Sequence, residues 1–85
     1  MNLNAINKYF YKLKQYPSKE DLNRLLDYFH SQNFIEAEKL ATYFVNNYPD
    51  FPFGWKILGV LLKKKRQFLK SIDASLKATK ITPLD

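Results

Sequence analysis

Two prolines set the frame for any fold of this chain. Pro83 follows Pro49 at the same interval at which Phe68 follows Phe34. A proline inside a helix removes a backbone donor and clashes with the preceding turn, so each proline marks a place where a helix must stop. Pro17 ends the first periodic stretch in the same way. Pro52 stands where a proline is tolerated, in the first turn of a new helix. Between these stops the apolar residues recur at helical spacing. Leu3, Ile6, Phe10 and Leu13 form one stripe; Leu22, Leu25, Leu26 and Phe29 form a second. Phe34, Ala37, Leu40, Ala41, Phe44 and Val45 make a third, and Trp55, Ile57, Leu58, Val60, Leu61 and Leu62 a fourth. Phe68, Leu69, Ile72, Leu76, Ala78 and Ile81 complete the last. No segment alternates with period two for long enough to form a strand.

The pattern predicts an all-α fold with a lead helix over residues 1–17 that caps the rest. A helix pair over 18–51 follows, and then a second pair over 52–85. Ser18 offers an N-cap hydroxyl, with Asp21 three residues on in the manner of a capping box. Size class repeats at the interval that separates Pro49 from Pro83: Ala37 matches Ser71, Ala41 matches Ser75 and Leu26 matches Val60. Eighty-five residues make one small domain or part of a larger protein. A chain without cysteine has no disulfide framework and no thiolate metal site. It fits a reducing compartment, and a cytoplasmic location is expected. The apolar runs are too short to span a membrane, and MNLNAINKYFYKLK has no cleavable apolar core.

The densest chemistry lies in YPDFPFGWKILG, from Tyr48 to Gly59, which holds both glycines and the only tryptophan. A glycine in a helix interior costs about 1 kcal/mol relative to alanine. Gly59 therefore implies a close approach of the paired helix, with Ser71, Ser75 and Ala78 as the small face opposite. Trp55 is expected to bury its ring at the seam between the two pairs, where truncation to alanine costs ~3–5 kcal/mol.

Nothing in the chain points to catalysis. His30 is the only histidine, with Asp27 three residues before it, and a lone imidazole makes a poor metal site. The carboxylates fall on faces expected to be exposed, and no pair suggests an acid and a base held in a dry cleft. Ser71 and Ser75 read as small packing residues. There is no glycine-rich phosphate loop. No catalytic residue, metal site or cofactor is expected within these residues.

The segment Trp55-x-x-Leu58-Gly59-x-x-Leu62, followed by Phe68, Ala78 and Pro83, resembles a tetratricopeptide repeat. The usual pattern there is Trp-x-x-Leu-Gly-x-x-Tyr, an aromatic, a small residue, an alanine and a closing proline. Tyr28, Phe34, Ala37 and Pro49 fit the same pattern in the preceding unit. Asp21, Arg24, Leu25 and Phe44 depart from it. The stretch AEKLATYFVNNYPDFPFGWKILGVLLKK also resembles the repeat regions of bacterial proteins related to O-linked N-acetylglucosamine transferases. The resemblance implies a short right-handed solenoid of stacked helix pairs, and a binding groove lined by the first helix of each pair. Carried onto this chain, the groove residues are Lys19, Leu22, Asn23, Leu26, Phe29 and His30, then Phe53, Lys56, Ile57, Val60, Lys63 and Lys64. The resemblance also implies that Gln32 and Arg66 stand where the turn usually carries a left-handed glycine. Leu26 and Val60 replace the asparagine that chaperone-binding members use to grip a terminal carboxylate.

The expected function is a non-catalytic protein–protein interaction scaffold. Its net charge of +6 favours an acidic peptide or protein partner. An N-terminal segment of a larger enzyme, such as a glycosyltransferase, is an alternative. Nucleic-acid binding through Lys63–Arg66 is another, although no stacking aromatics interleave that run. In the last helix Phe68, Leu69, Ile72 and Leu76 cannot all turn inward against one partner helix. An interface is therefore expected there, either with further repeats or with a second chain.

Overall fold

The computed structural model describes residues 16–81. Four α-helices fill this span: α1 (Lys19–His30), α2 (Phe34–Asn47), α3 (Pro52–Lys64) and α4 (Phe68–Ile81). There is no strand among the described residues. Most of the lead helix expected over 1–17, and Pro83, lie outside the described residues.

Each helix begins and ends for a local reason. The Ser18 hydroxyl accepts the Asp21 N–H at 3.1 Å and caps α1. Asp21 and Glu20 place negative charge in its first turn, where the helix dipole favours it. Pro52 opens α3 in the first turn. The ends of α1 and α3 are the same structure built twice. In the first, the N–H groups of Gln32 and Asn33 reach the carbonyls of Phe29 and Tyr28 at 3.2 and 2.9 Å. In the second, Arg66 and Gln67 reach Lys63 and Leu62, both at 2.9 Å. This paired bonding closes a helix through one left-handed residue. Gln32 has φ 63° and Arg66 φ 64°, as the resemblance implied, and neither is a glycine. A side chain in that conformation costs roughly 1–2 kcal/mol. The bounds of α2 and α4 repeat at the same interval as Pro49 and Pro83.

Packing runs between sequence neighbours: α1 on α2, α2 on α3, and α3 on α4. One core cluster joins the first three helices through Leu25, Ala37, Ala41, Phe44, Ile57 and Leu61. The two pairs differ in spacing because the same position holds a fully buried Leu25 in α1 and Gly59 in α3. Leu25 fills the gap between α1 and α2. Gly59 leaves none, and α3 and α4 approach closely along most of their length. A Cβ on Gly59 would lie 3.0 Å from Ser75 Oγ and 3.4 Å from the Ser71 carbonyl oxygen. The close approach expected at Gly59 is present. Ser71 does more than save space, since its buried hydroxyl donates to the Gly59 carbonyl at 2.7 Å.

The contact between the two pairs rests on Gly54 rather than on Trp55. A Cβ on Gly54 would meet the Phe44 Cβ at 3.1 Å and Val45 Cγ1 at 3.6 Å. Phe44 is fully buried and meets the rings of Tyr48 and Phe51 edge-on at 5.9 and 6.3 Å. Trp55, expected to be buried at the seam, is only half-buried. Its indole N–H donates to the Pro49 carbonyl at 2.8 Å, and the Lys77 ammonium sits 4.7 Å from a ring centroid. The ring ties the interhelical joint to α4 instead of filling the core, because α3 turns its Gly54–Ile57–Leu61 stripe inward.

Replacing Gly54 by alanine sets one Cβ against another that is fixed to its own backbone. Gly54→Ala is expected to lose about 1–3 kcal/mol in urea unfolding, as overpacked cores do. Gly59→Ala is expected to stay within about 1 kcal/mol of the parent, because the gain in helix propensity opposes a clash that a rotating Ser75 hydroxyl relieves. Equal stability of the two variants would show that α2 and α3 slide apart freely. Gln32→Gly and Arg66→Gly should each raise the unfolding midpoint, by up to about 1 kcal/mol of stability, through release of the left-handed strain.

Candidate functional site

The expected groove residues fall on two helices. On α1, Asn23 and His30 are exposed, while Leu26 and Phe29 are half-buried. Phe29 meets the rings of His30 and Phe34 edge-on at 6.2 and 6.1 Å. On α3, Lys56, Val60, Lys63 and Lys64 are exposed and Phe53 is half-buried. Lys56, Val60 and Lys63 follow at i, i+4 and i+7, which places them on one stripe. Phe29 and Phe53 pack against the same core cluster, so both stripes are anchored on it. Ile57 is a correction to the expected lining: only 7% exposed, it belongs to the core. The reason is helical phase, since Ile57 shares the inward stripe with Gly54 and Leu61.

The basic run Lys63–Arg66 does not form one front. Lys63 lines a cleft shared with α4. Lys64 lies on the other side of α3, with its ammonium 5.0 Å from the Phe34 ring centroid. Lys65 bonds both carboxylate oxygens of Glu38 at 3.1 Å and so ties the end of α3 to α2. Arg66 takes the left-handed turn position. Successive residues on a helix point about 100° apart, so four adjacent cations disperse.

Two clefts flank α3. The first, of about 310 Å³, lies toward α2 and is lined by Phe34, Ile35, Glu38, Leu61, Lys64 and Lys65. The second, of about 440 Å³, lies toward α4 and is lined by Lys63, Phe68, Ser71, Ile72, Ser75, Leu76 and Thr79. The apolar wall of the second was foreseeable from the helical spacing of α4. Phe68, Leu69, Ile72 and Leu76 are 53%, 84%, 56% and 56% exposed. The first was not foreseen, because it depends on where α3 crosses α2.

Charge is divided between the two pairs. Residues 18–51 carry three Lys or Arg against six Asp or Glu; residues 52–81 carry eight against one. Lys65 and Lys77 spend part of this charge on Glu38 and Asp73. Lys56, Lys63, Arg66, Lys70 and Lys80 have no ion-pair partner among the described residues. No group of three metal-ligating side chains gathers among them either. The Tyr48 phenol is held above its ordinary pKa, first by a hydrogen bond with Tyr43 and then by burial. No helix among the described residues is long and apolar enough to cross a membrane. No family model, no curated protein and no solved structure matches the chain.

The Lys65–Glu38 pair is half-exposed on the lysine side, so solvent screens it. Glu38→Gln is expected to cost about 0.2–1 kcal/mol at low ionic strength. The loss should fall toward zero at roughly 1 M salt, with urea unfolding at the two ionic strengths as the measurement. A larger, salt-independent loss would mean that Glu38 acts through packing.

Proposed function

We propose that this chain is a non-catalytic interaction scaffold of the tetratricopeptide type. Two helix pairs stack as a short right-handed solenoid and present a basic and apolar groove to an acidic peptide or protein. One observation carries the reading: the bounds of α2 and α4, the bonds that close α1 and α3 and the left-handed turn residues recur at a single interval, the one that takes Gln32 to Arg66. A period of about 34 residues belongs to helix–turn–helix repeats whose faces are buried by stacking. The groove is formed by Asn23, Leu26, Phe29 and His30 on α1 and by Phe53, Lys56, Val60 and Lys63 on α3; Lys64, expected there too, lies on the other side of α3 against Phe34. Its lysines raise the encounter rate with carboxylates, and Leu26, Phe29 and Val60 supply apolar contact. The dispersal of Lys63–Arg66 weighs against a nucleic-acid platform, which needs a continuous basic track.

A random peptide display library selected on the immobilised protein tests this reading. Selected peptides should be enriched in Asp or Glu interleaved with Leu or Phe. Lys56→Glu should weaken them at least about tenfold, and binding should fall steeply with salt. Selection of no sequence, or of basic sequences, would overturn the proposal.

A further inference from the structure

The end of α3 that faces α2 holds a cation without a counter-ion. Lys65 closes α3 and bonds both carboxylate oxygens of Glu38 at 3.1 Å. Lys64, one residue earlier, has no ion-pair partner among the described residues. Its ammonium is held instead 5.0 Å from the Phe34 ring centroid, where the negative face of the ring attracts it. Both lysines line the cleft of about 310 Å³ between α2 and α3, together with Phe34, Ile35, Glu38 and Leu61. Leu61 is 2% exposed and belongs to the core, whereas Ile35 stands 73% exposed in the first turn of α2. The Glu38 carboxylate answers Lys65, so the lining keeps one uncompensated positive charge, on Lys64. A second cleft shares Ile35, Glu38 and Lys65 with the first and extends the space along α2.

We infer that this cleft binds a small organic acid, one carboxylate on an apolar body. The carboxylate meets the Lys64 ammonium, which is already fixed beside an apolar wall. The body lies over Leu61 and Phe34 and covers Ile35, an apolar side chain otherwise left in water. Glu38 sets a limit on the ligand, since a second carboxylate would meet like charge there. The volume falls at the low end of the range for small-molecule sites, roughly 300–1,000 Å³. It suits a molecule of metabolite size rather than a peptide. None of the groove residues lines this cleft, so the inference does not rest on the interaction-scaffold reading.

The remaining residues of the sequence are poor sources of that acid. Residues 1–15 carry Lys8, Lys12 and Lys14 and neither Asp nor Glu, so they would bring cations to a cationic lining. Residues 82–85 include Asp85 but start from the wrong end of α4. The Lys77 ammonium lies 4.7 Å from a Trp55 ring centroid, which sets that end of α4 beside the start of α3. Trp55 and Lys64 stand about 14 Å apart along the axis of α3, and Ile81 lies a further turn away. Four residues reach at most about 14 Å when fully extended.

The test uses phenylbutyrate and its neutral twin phenylbutyramide, titrated into the whole chain labelled with nitrogen-15. Amide chemical shifts read both the affinity and the place of binding, and circular dichroism confirms the fold of each variant. Phenylbutyrate should shift the amides of Ile35, Glu38, Leu61 and Lys64. It should bind about tenfold more tightly than the amide, the worth of one charge-assisted hydrogen bond. Lys64→Gln should abolish that preference, Ile35→Ser should weaken both probes, and Glu38→Gln should tighten phenylbutyrate by releasing Lys65. Equal binding of the two probes, no shift at millimolar concentration, or a preference that survives Lys64→Gln would overturn the inference. So would shifts confined to Asn23, Lys56 and Lys63, which would assign the acid to the groove and support the scaffold reading instead. Binding gained only when Leu3, Ile6, Phe10 and Leu13 are all replaced by serine would give the cleft to residues 1–15 of the chain itself and equally overturn it.

Discussion

The contact between Phe44 and Gly54 fixes how the two helix pairs meet. Phe44 is large where the corresponding residue of the last helix, Ala78, is small. The Phe44 Cβ lies 3.1 Å from where a Cβ on the opposing site of α3 would stand, so that site holds only a hydrogen, and Gly54 supplies it. The pairing sets the depth at which α3 enters the channel of the first pair. That depth in turn brings Ile57 and Leu61 into the core and turns Lys56, Val60 and Lys63 toward solvent. The aromatic chain Tyr48, Phe44, Phe51 and Phe53 then closes the joint around the same point. The candidate surfaces are thus consequences of one close approach between α2 and α3.

Much of this was legible in the sequence because the signals were local. Proline stops, the Ser18 cap and the helical spacing of apolar residues act within a few residues, and they located all four helices. The left-handed turn residues were also legible, since the repeat places them by register. Gly54 was not recognised as a contact point. A glycine near a helix start has several local explanations, and the one that applies depends on Phe44, which sits on another helix. Trp55 misled for the opposite reason. Its size suggested burial, but a hydrogen bond to the Pro49 carbonyl and a lysine over its ring satisfy it at half exposure. The resemblance places Ile57 in the groove, while its phase on α3 turns it into the core.

The basic run illustrates a further limit. Four consecutive cations read as a patch on paper, while the helix distributes them among two clefts, an ion pair and a turn. What survives at the level of the whole chain is the division of charge between an acidic first pair and a basic second pair. This division gives the molecule an electrical direction along its length. The groove crosses the boundary between opposite signs, whereas the outer face of α4 lies wholly on the positive side.

Because each described helix packs only on its neighbours in sequence, the four have no long-range closure to wait for. Chains with such local connectivity collapse quickly, since little loop entropy must be lost before contacts form. The same layout leaves no clasp between the first and last of the four described helices. Tension applied at the two ends would strip the helices away singly, outermost first, and the extensible part of the molecule would be its terminal layer rather than its middle.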